Sequence, residues 1–309
     1  MEITVIGTES LGVRGLSCMV TAGDRRILID PGVALGYLRH GHLPHPCQVA
    51  VGAVVRKKIL AAMPEATDII FSHYHGDHVP LADANPYQIS LNHIPSLEGT
   101  RFWCRGTASL SFHSLHRREA IENHLGHPLP DADGTSEGIL SFSVPVPHGS
   151  PRSHLRKVMM TCIRDEGRTF VHASDIQMLN REAVTIIRAW KPDVVIASGP
   201  PLYLLRLTEK ERTEAWTNAL NAAEGCGTLI LDHHVLRSHA GCRWAEKLSE
   251  EAGGNVVSAA EFMGKEPLLL EARREELYRD YPVPERWHDA YARGDVGVEG
   301  FLDFIGLVK

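Results

Sequence analysis

An α/β fold whose strands end on histidines and aspartates is predicted by three observations. The chain opens on three short β-branched runs separated by glycine-containing turns. Later strand-like runs alternate with stretches of helical period. Four of those strands are followed at once by His or Asp. Side chains on separate strand ends of a twisted sheet can converge on one rim.

The opening runs, residues 3–8, 18–21 and 26–30, read as a β-meander. The third ends on Asp30 before a Pro-Gly break, where the carboxylate either orients a metal-bound histidine or starts a turn. Residues 33–47 form a loop, with His40, His42 and His45 solvated or beside substrate rather than ligating. Residues 49–63 carry helical spacing, with Arg56, Lys57 and Lys58 outward. The apolar run Asp68-Ile69-Ile70-Phe71 is a buried strand leading into Ser72-His73-Tyr74-His75-Gly76-Asp77-His78. Residues 79–87 are proline-rich and irregular. A strand over 100–105 precedes a helix over 111–125 with Arg117 and Arg118 exposed, and an acidic loop covers 128–138. Residues 140–146 alternate as a half-buried strand and deliver His148. A hairpin of strands 157–163 and 169–172 delivers Asp175. A helix over 179–190, a strand over 194–197, a helix over 209–223 and a strand over 228–231 lead to Asp232-His233-His234. The tail is charged helix over 271–281, followed by an apolar patch at Phe301, Leu302, Phe304 and Ile305.

Of the 309 residues, 43% are hydrophobic and 23% charged, sufficient for a sizeable core. The simplest organisation is one domain over 1–309, with residues 265–309 a helical C-terminal extension. A formal charge of -6 argues against an extended nucleic-acid surface. Six cysteines without a CxxC pair point away from disulfides and towards a reducing cytoplasm. The N-terminus has no basic and apolar leader pattern, and no apolar run has the length of a membrane span.

The chemistry concentrates at residues 73–78. His73 and His75, two apart in extended backbone, point the same way. Gly76 lets the chain turn so that Asp77 and His78 face a second point. Nitrogen and oxygen donors of this kind suit zinc, and also iron or manganese.

With His148, Asp175 and His233 added, the pattern resembles the metallo-β-lactamase superfamily, marked by HxHxDH and by a later His, Asp and His that each follow a strand. The resemblance implies an αββα four-layer sandwich, two mixed β-sheets flanked by helices. It assigns His73, His75 and His148 to one metal, Asp77, His78 and His233 to a second, and Asp175 to a bridge. Two divalent ions, zinc foremost, would then supply a hydroxide for hydrolysis. Asp77 and His234 are the candidate catalytic groups, and Asp232 a candidate to orient an imidazole. His233 is preferred to His234 as the last ligand because Leu231-Asp232-His233-His234-Val235-Leu236-Arg237 is similar to the motif of the tRNA 3′-processing members. The segments 75–87 and 199–203 resemble a largely archaeal branch of the superfamily. His75 stands where flavodiiron proteins carry a carboxylate, which argues against oxygen reduction.

The expected substrate is a small-molecule or nucleotide-type phosphodiester or other phosphate-bearing compound, on the histidine motif near Arg237 and on the segment Ser150, Arg152, Ser153, His154 and Arg156, whose arginines could grip an anion. A lactone, thioester or amide is the alternative at the same site. A non-catalytic metal or nucleic-acid binding protein of this fold is the third reading.

Overall fold

The meander forms as β1 (Glu2–Gly7), β2 (Ser17–Ala22) and β3 (Arg25–Ile29), antiparallel in succession. The structure is a computed structural model that describes residues 1–150 and 156–303. Helix α1 (Pro46–Ala62) crosses over to β4 (Asp68–Phe71), which lies parallel to β3, and β5 (Arg101–Cys104) completes a five-stranded mixed sheet in the order β1-β2-β3-β4-β5. After helix α2 (Phe112–Leu125) come the short strands β6 (Ser136–Glu137), β7 (Leu140–Phe142), β8 (Val146–Pro147) and β9 (Lys157–Val158).

The second sheet gathers β10 (Thr161–Asp165), β11 (Arg168–His172), β12 (Val194–Ala197), β13 (Thr228–Leu231) and β14 (Val256–Val257). It has seven strands in the order β14-β13-β12-β11-β10-β7-β6, while β8 and β9 pair separately. Helices α3 (Arg181–Ala189), α4 (Glu209–Ala223) and α5 (His239–Glu251) make its parallel crossovers. The chain then runs through α6 (Ala259–Phe262), α7 (Arg274–Asp280), α8 (Trp287–Arg293) and α9 (Glu299–Leu302).

Strand alternation explains the layering. Ile27, Ile29 and Ile70 of the first sheet pack with Phe170, Val194, Ile196 and Ile230 of the second, between the sheets. Their neighbours Leu28, Ile69 and Phe71 face outward onto Val51, Val55 and Ile59 of α1. Val195, Leu229 and Leu231 face Ala183, Ile187 and Ala219 of α3 and α4. Strands buried on both faces carry continuous apolar runs, and each fully buried aliphatic contributes about 1.5–3 kcal/mol. The result is the expected αββα sandwich. Strands β3–β5 and β11–β14 are parallel within their sheets, so their carboxyl ends lie along one rim of each sheet, where open α/β sheets bind ligands.

Several expectations change. The run 140–146 is not one strand, because Ser143 Oγ accepts the Met160 N–H at 2.9 Å and Pro145 has no N–H for a ladder. The run 157–163 breaks where Met159 donates its N–H to Ser72 O at 3.0 Å, tying the second half of the chain to the histidine loop. Arg118 is buried rather than exposed. It donates to Arg105 O at 2.9 Å, to Asp131 at 2.6 Å and to Leu129 O. Arg117 is half-buried and donates to Tyr74 O. Residues 128–138 include β6 and the buried Leu129 and Ala132, so they are not a plain surface loop.

His45 is buried and caps α1, its Nδ1 accepting the Cys47 N–H at 3.2 Å. The tail helix starts at Arg274, and Glu271 lies outside it, buried against Arg14, Gln48 and Arg274. Phe304 and Ile305 of the apolar patch lie outside the described residues. Among the described residues no helix is long and apolar enough to cross a membrane.

Candidate metal centre

The wholly buried strand β4 delivers residues 72–78 in extended backbone followed by a turn. Alternation sends Tyr74 the other way, fully buried with its hydroxyl donating to Arg105 O at 2.6 Å, so His73 and His75 share a side. His73 Nε2 and His75 Nδ1 are 2.9 Å apart. The turn closes with His78 N–H donating to His75 O at 2.9 Å. Gly32 lets β3's loop pass beneath it, since a Cβ there would lie 2.3 Å from the His78 carbonyl carbon.

Asp175 lies at the middle of the cluster, and its two oxygens face different imidazoles. Oδ2 is 3.5 Å from His73 Nε2, 3.5 Å from His75 Nδ1 and 3.6 Å from His234 Nε2. Oδ1 is 3.4 Å from His78 Nε2 and 3.3 Å from His233 Nε2. Asp77 Oδ2 is 3.4 Å from His233 Nε2. Donor atoms within 4.8 Å of one another therefore form overlapping groups: His73, His75 and Asp175; Asp77, His78 and His233; Asp175, His233 and His234; Asp30, His73 and His78. His148 is in none of these groups, but its ring centre is 5.6 Å from that of His75 and 6.3 Å from that of His73. The structure thus brings the expected donors together and brings His234 to Asp175 as well as His233.

Three buried atoms here make no hydrogen bond: His78 Nε2, His148 Nε2 and Asp175 Oδ1. Buried polar atoms are rarely left so, and a cation among them is the simplest partner. Burial first, then the neighbouring His78 and His75, pushes His73 down to about 3. Burial likewise lowers His148 to about 4. Burial, with Arg237 adding to it, holds His234 well below its ordinary value. These rings are neutral, the form that binds metal. Burial would raise the carboxyls of Asp77 and Asp175, yet His78 and His233, both held above the ordinary imidazole value by these same acids, outweigh it and keep both carboxyls well below the usual range.

Asp30 does what its strand-end position suggested. Its carboxylate is wholly buried and accepts from Ser72 N–H at 2.9 Å, from Ser72 and Ser174 hydroxyls at 2.7 Å, and from His78 Nδ1 at 2.9 Å. Ser72 follows a strand of the first sheet and Ser174 a strand of the second, so one carboxylate clamps both rims. With Nδ1–H committed to Asp30, the His78 Nε2 lone pair faces the cluster. Asp30, Ser174 and His233 all have positive φ, at 47°, 49° and 74°, strain of about 1–3 kcal/mol each that the hydrogen bonds offset. Replacing Asp30 by alanine is expected to weaken metal retention by about 10–100-fold. Competition with a coloured chelator measures this, and unchanged retention would rule out the orienting role.

Asp232 does not orient an imidazole. Its carboxylate accepts from Thr8 Oγ1, Ser10 N, Ala259 N and His233 N, at 2.6–3.0 Å, and so fixes the strained backbone at His233. Arg237, four residues after His233, supports the same cluster. It is buried, donates from Nε to Glu9 at 3.0 Å and lies 2.8 Å from His233 Nε2 and 3.1 Å from His234 Nδ1, so it is committed to the histidines' support rather than free to grip an anion. Arg152, Ser153 and His154 lie outside the described residues.

Sequence reasoning missed Glu9, Gly15, Gln177, Tyr203 and Arg206. Gly15 N–H donates to His233 Nδ1 at 3.2 Å, Gln177 Nε2 lies 3.1 Å from His148 Nδ1, and Tyr203 hydroxyl lies 3.1 Å from His234 Nδ1. Glu9 had a usable signal, because it follows β1 just as the other acids follow their strands. Beside the cluster opens a pocket of about 500 Å³, lined in part by His75, Asp77, His148, Asp175 and His234, within the range for small-molecule sites.

No protein-family model matches the chain. A UPF0282 protein of Methanosarcina mazei is 52% identical over 302 residues, covering 98% of this chain and 100% of the relative. A UPF0282 protein of Pyrococcus furiosus is 34% identical over 299 residues, covering 90% and 92%. One of Methanopyrus kandleri is 34% identical over 292 residues, covering 90% and 99%. Among solved structures, Tm1679, a metal-dependent hydrolase of the β-lactamase superfamily, is similar at a TM-score of 0.48 and 14% identity over 82% of this chain and 94% of that one. Zn2+-bound PqqB of Methylobacterium extorquens is similar at 0.47 and 11% identity, over 84% and 97%. Likeness this distant carries neither a reaction nor a metal across.

Proposed function

This chain belongs to the UPF0282 family, and we propose that it is a metal-dependent hydrolase with a dinuclear centre, acting on a phosphodiester or other phosphate-bearing substrate. The observation that carries this is the two-sidedness of Asp175, whose Oδ2 faces His73 and His75 while Oδ1 faces His78 and His233. A carboxylate so placed suits two cations better than one. In this reading His73, His75 and His148 would hold one ion and Asp77, His78 and His233 the other, with Asp175 shared between the two sets. The hydrogen-bond-free Nε2 atoms of His148 and His78 support one ligand of each set. His234 is the alternative last ligand, and metal counts in His233→Ala and His234→Ala separate the two.

Two divalent ions, with zinc, iron or manganese compatible with these ligands, would supply Lewis acidity and a hydroxide near neutral pH. The chain's own part is to keep His73, His148 and His234 neutral and to aim the donors. Asp30 fixes the orientation of His78 through its Nδ1–H. His234, neutral and lining the pocket, is placed to contact substrate, with Tyr203 and Arg237 steadying its Nδ1. Asp77, on the same wall, would combine ligation with contact to the reacting group.

The assay is turnover of bis(4-nitrophenyl) phosphate by metal-replete protein beside a panel of lactones and thioesters. Phosphodiester hydrolysis abolished by chelation and restored by metal is expected. Strong turnover of the carbonyl esters with none of the phosphodiester would overturn the phosphate assignment while keeping the hydrolase.

A further inference from the structure

Two guanidinium groups in the pocket wall have no side-chain partner among the described residues. Arg156, just before β9, and Arg206, in the loop between β12 and α4, both line the cavity beside the cluster and are solvent-exposed. Among the described residues neither guanidinium makes an ion pair or a side-chain hydrogen bond.

The other arginines near the site differ in this respect. Arg237 is bound to Glu9. Arg39 pairs with Glu271 and lies over the Tyr203 ring at 4.9 Å. The nearby carboxylate of Glu211 accepts from the Thr208 N–H and hydroxyl in the cap of α4. Asp77 and Asp175, the remaining acids of the wall, belong to the cluster. Away from the donors that face the reaction the wall thus sets the two guanidiniums of Arg156 and Arg206 against the single carboxylate of Glu211, an excess of positive charge. The same wall carries the apolar Leu179, Pro201, Leu204 and Leu207 beside the polar Ser150, Gln177 and Tyr203.

We infer that the substrate carries a second anionic group, a carboxylate or a phosphate, joined through a short apolar or aromatic body to the group cleaved at the Asp175 centre. Arg156 and Arg206 take the second anion in charge-assisted hydrogen bonds, and the leucines and Pro201 take the body between. A cavity of about 500 Å³ suits a molecule of nucleotide size. The inference rests on the phosphate-hydrolase reading for its first anion and adds the second.

Calorimetric titration of metal-replete protein with three non-hydrolysable probes tests it: phenylphosphonate, 4-carboxyphenylphosphonate and benzene-1,4-diphosphonate. Both two-anion probes are expected to bind about tenfold or more tightly than phenylphosphonate, the advantage shrinking with added salt. In the double variant Arg156→Gln, Arg206→Gln the ratio should fall to about one, and a ratio is insensitive to any general loss of binding. The better of the two probes identifies the second anion. Equal binding of phenylphosphonate and both two-anion probes by the unaltered protein overturns the inference and leaves the phosphate reading standing, as does an advantage that survives in the double variant. Failure of all three to bind metal-replete protein overturns both.

Discussion

Replacing Asp175 by alanine is expected to leave at most one metal ion per chain and to lower phosphodiester turnover by about a thousandfold, near 4 kcal/mol of barrier. The side chain is almost wholly buried, and five imidazoles lie within 3.6 Å of its oxygens. No neighbouring carboxylate can take its place, because Asp77 reaches only the His233 side and Asp30 is spent on Ser72, Ser174 and His78. Elemental analysis beside the rate separates loss of metal from loss of fold. A variant with unchanged metal content and unchanged rate would refute the bridging role.

Replacing Glu271 by alanine is expected to have the largest effect on stability, about 3–5 kcal/mol, because it strips one buried carboxylate from several arginines. Glu271 receives Arg14 at 2.8 Å, Arg39 at 3.4 Å, Gln48 at 2.9 Å and also Arg274. It joins the segment before α7 to the loop after β1 and to α1. Burial alone would raise its carboxyl, but Arg14 and Arg274 outweigh this and bring it down to about 2 from 4.5. A group lowered on folding stabilises above its unfolded pKa and loses that contribution as pH falls through the folded one. The advantage over the alanine variant should therefore be full above pH 4.5 and fade towards pH 2. Urea midpoints of both proteins across that window measure it, and equal midpoints at neutral pH would contradict the role. The effect reaches the pocket, since Arg39 bridges Glu271 to the ring of Tyr203.

The strands, their order along the chain and most of the cluster were legible because they rest on local signals. Apolar runs bounded by turn residues marked β3, β4, β11, β12 and β13, and His or Asp residues sat just after each of them except β12. What escaped depends on partners distant in sequence. Arg237 reads only as part of a histidine motif until Glu9, at the far end of the chain, is folded against it. Asp232 reads as a ligand's companion until the loop after β1 brings Thr8 and Ser10 to its oxygens. Arg118 reads as an exposed helical charge until residues 129–131 cover it. The strand over 140–146 divides because Ser143 answers to Met160 and Met159 to Ser72, pairings that alternation alone does not contain. His148 was legible as a residue after a strand, yet its place at the margin of the cluster was not.

Anomalous diffraction from crystals of metal-replete protein, recorded on either side of the metal's absorption edge, tests the central claim most directly. Two peaks are predicted, one on each side of the Asp175 carboxylate, the first among His73, His75 and His148 and the second beside Asp77 and His78. Metal-replete crystals with no peak at Asp175, or with a single ion bound elsewhere, would contradict a dinuclear centre.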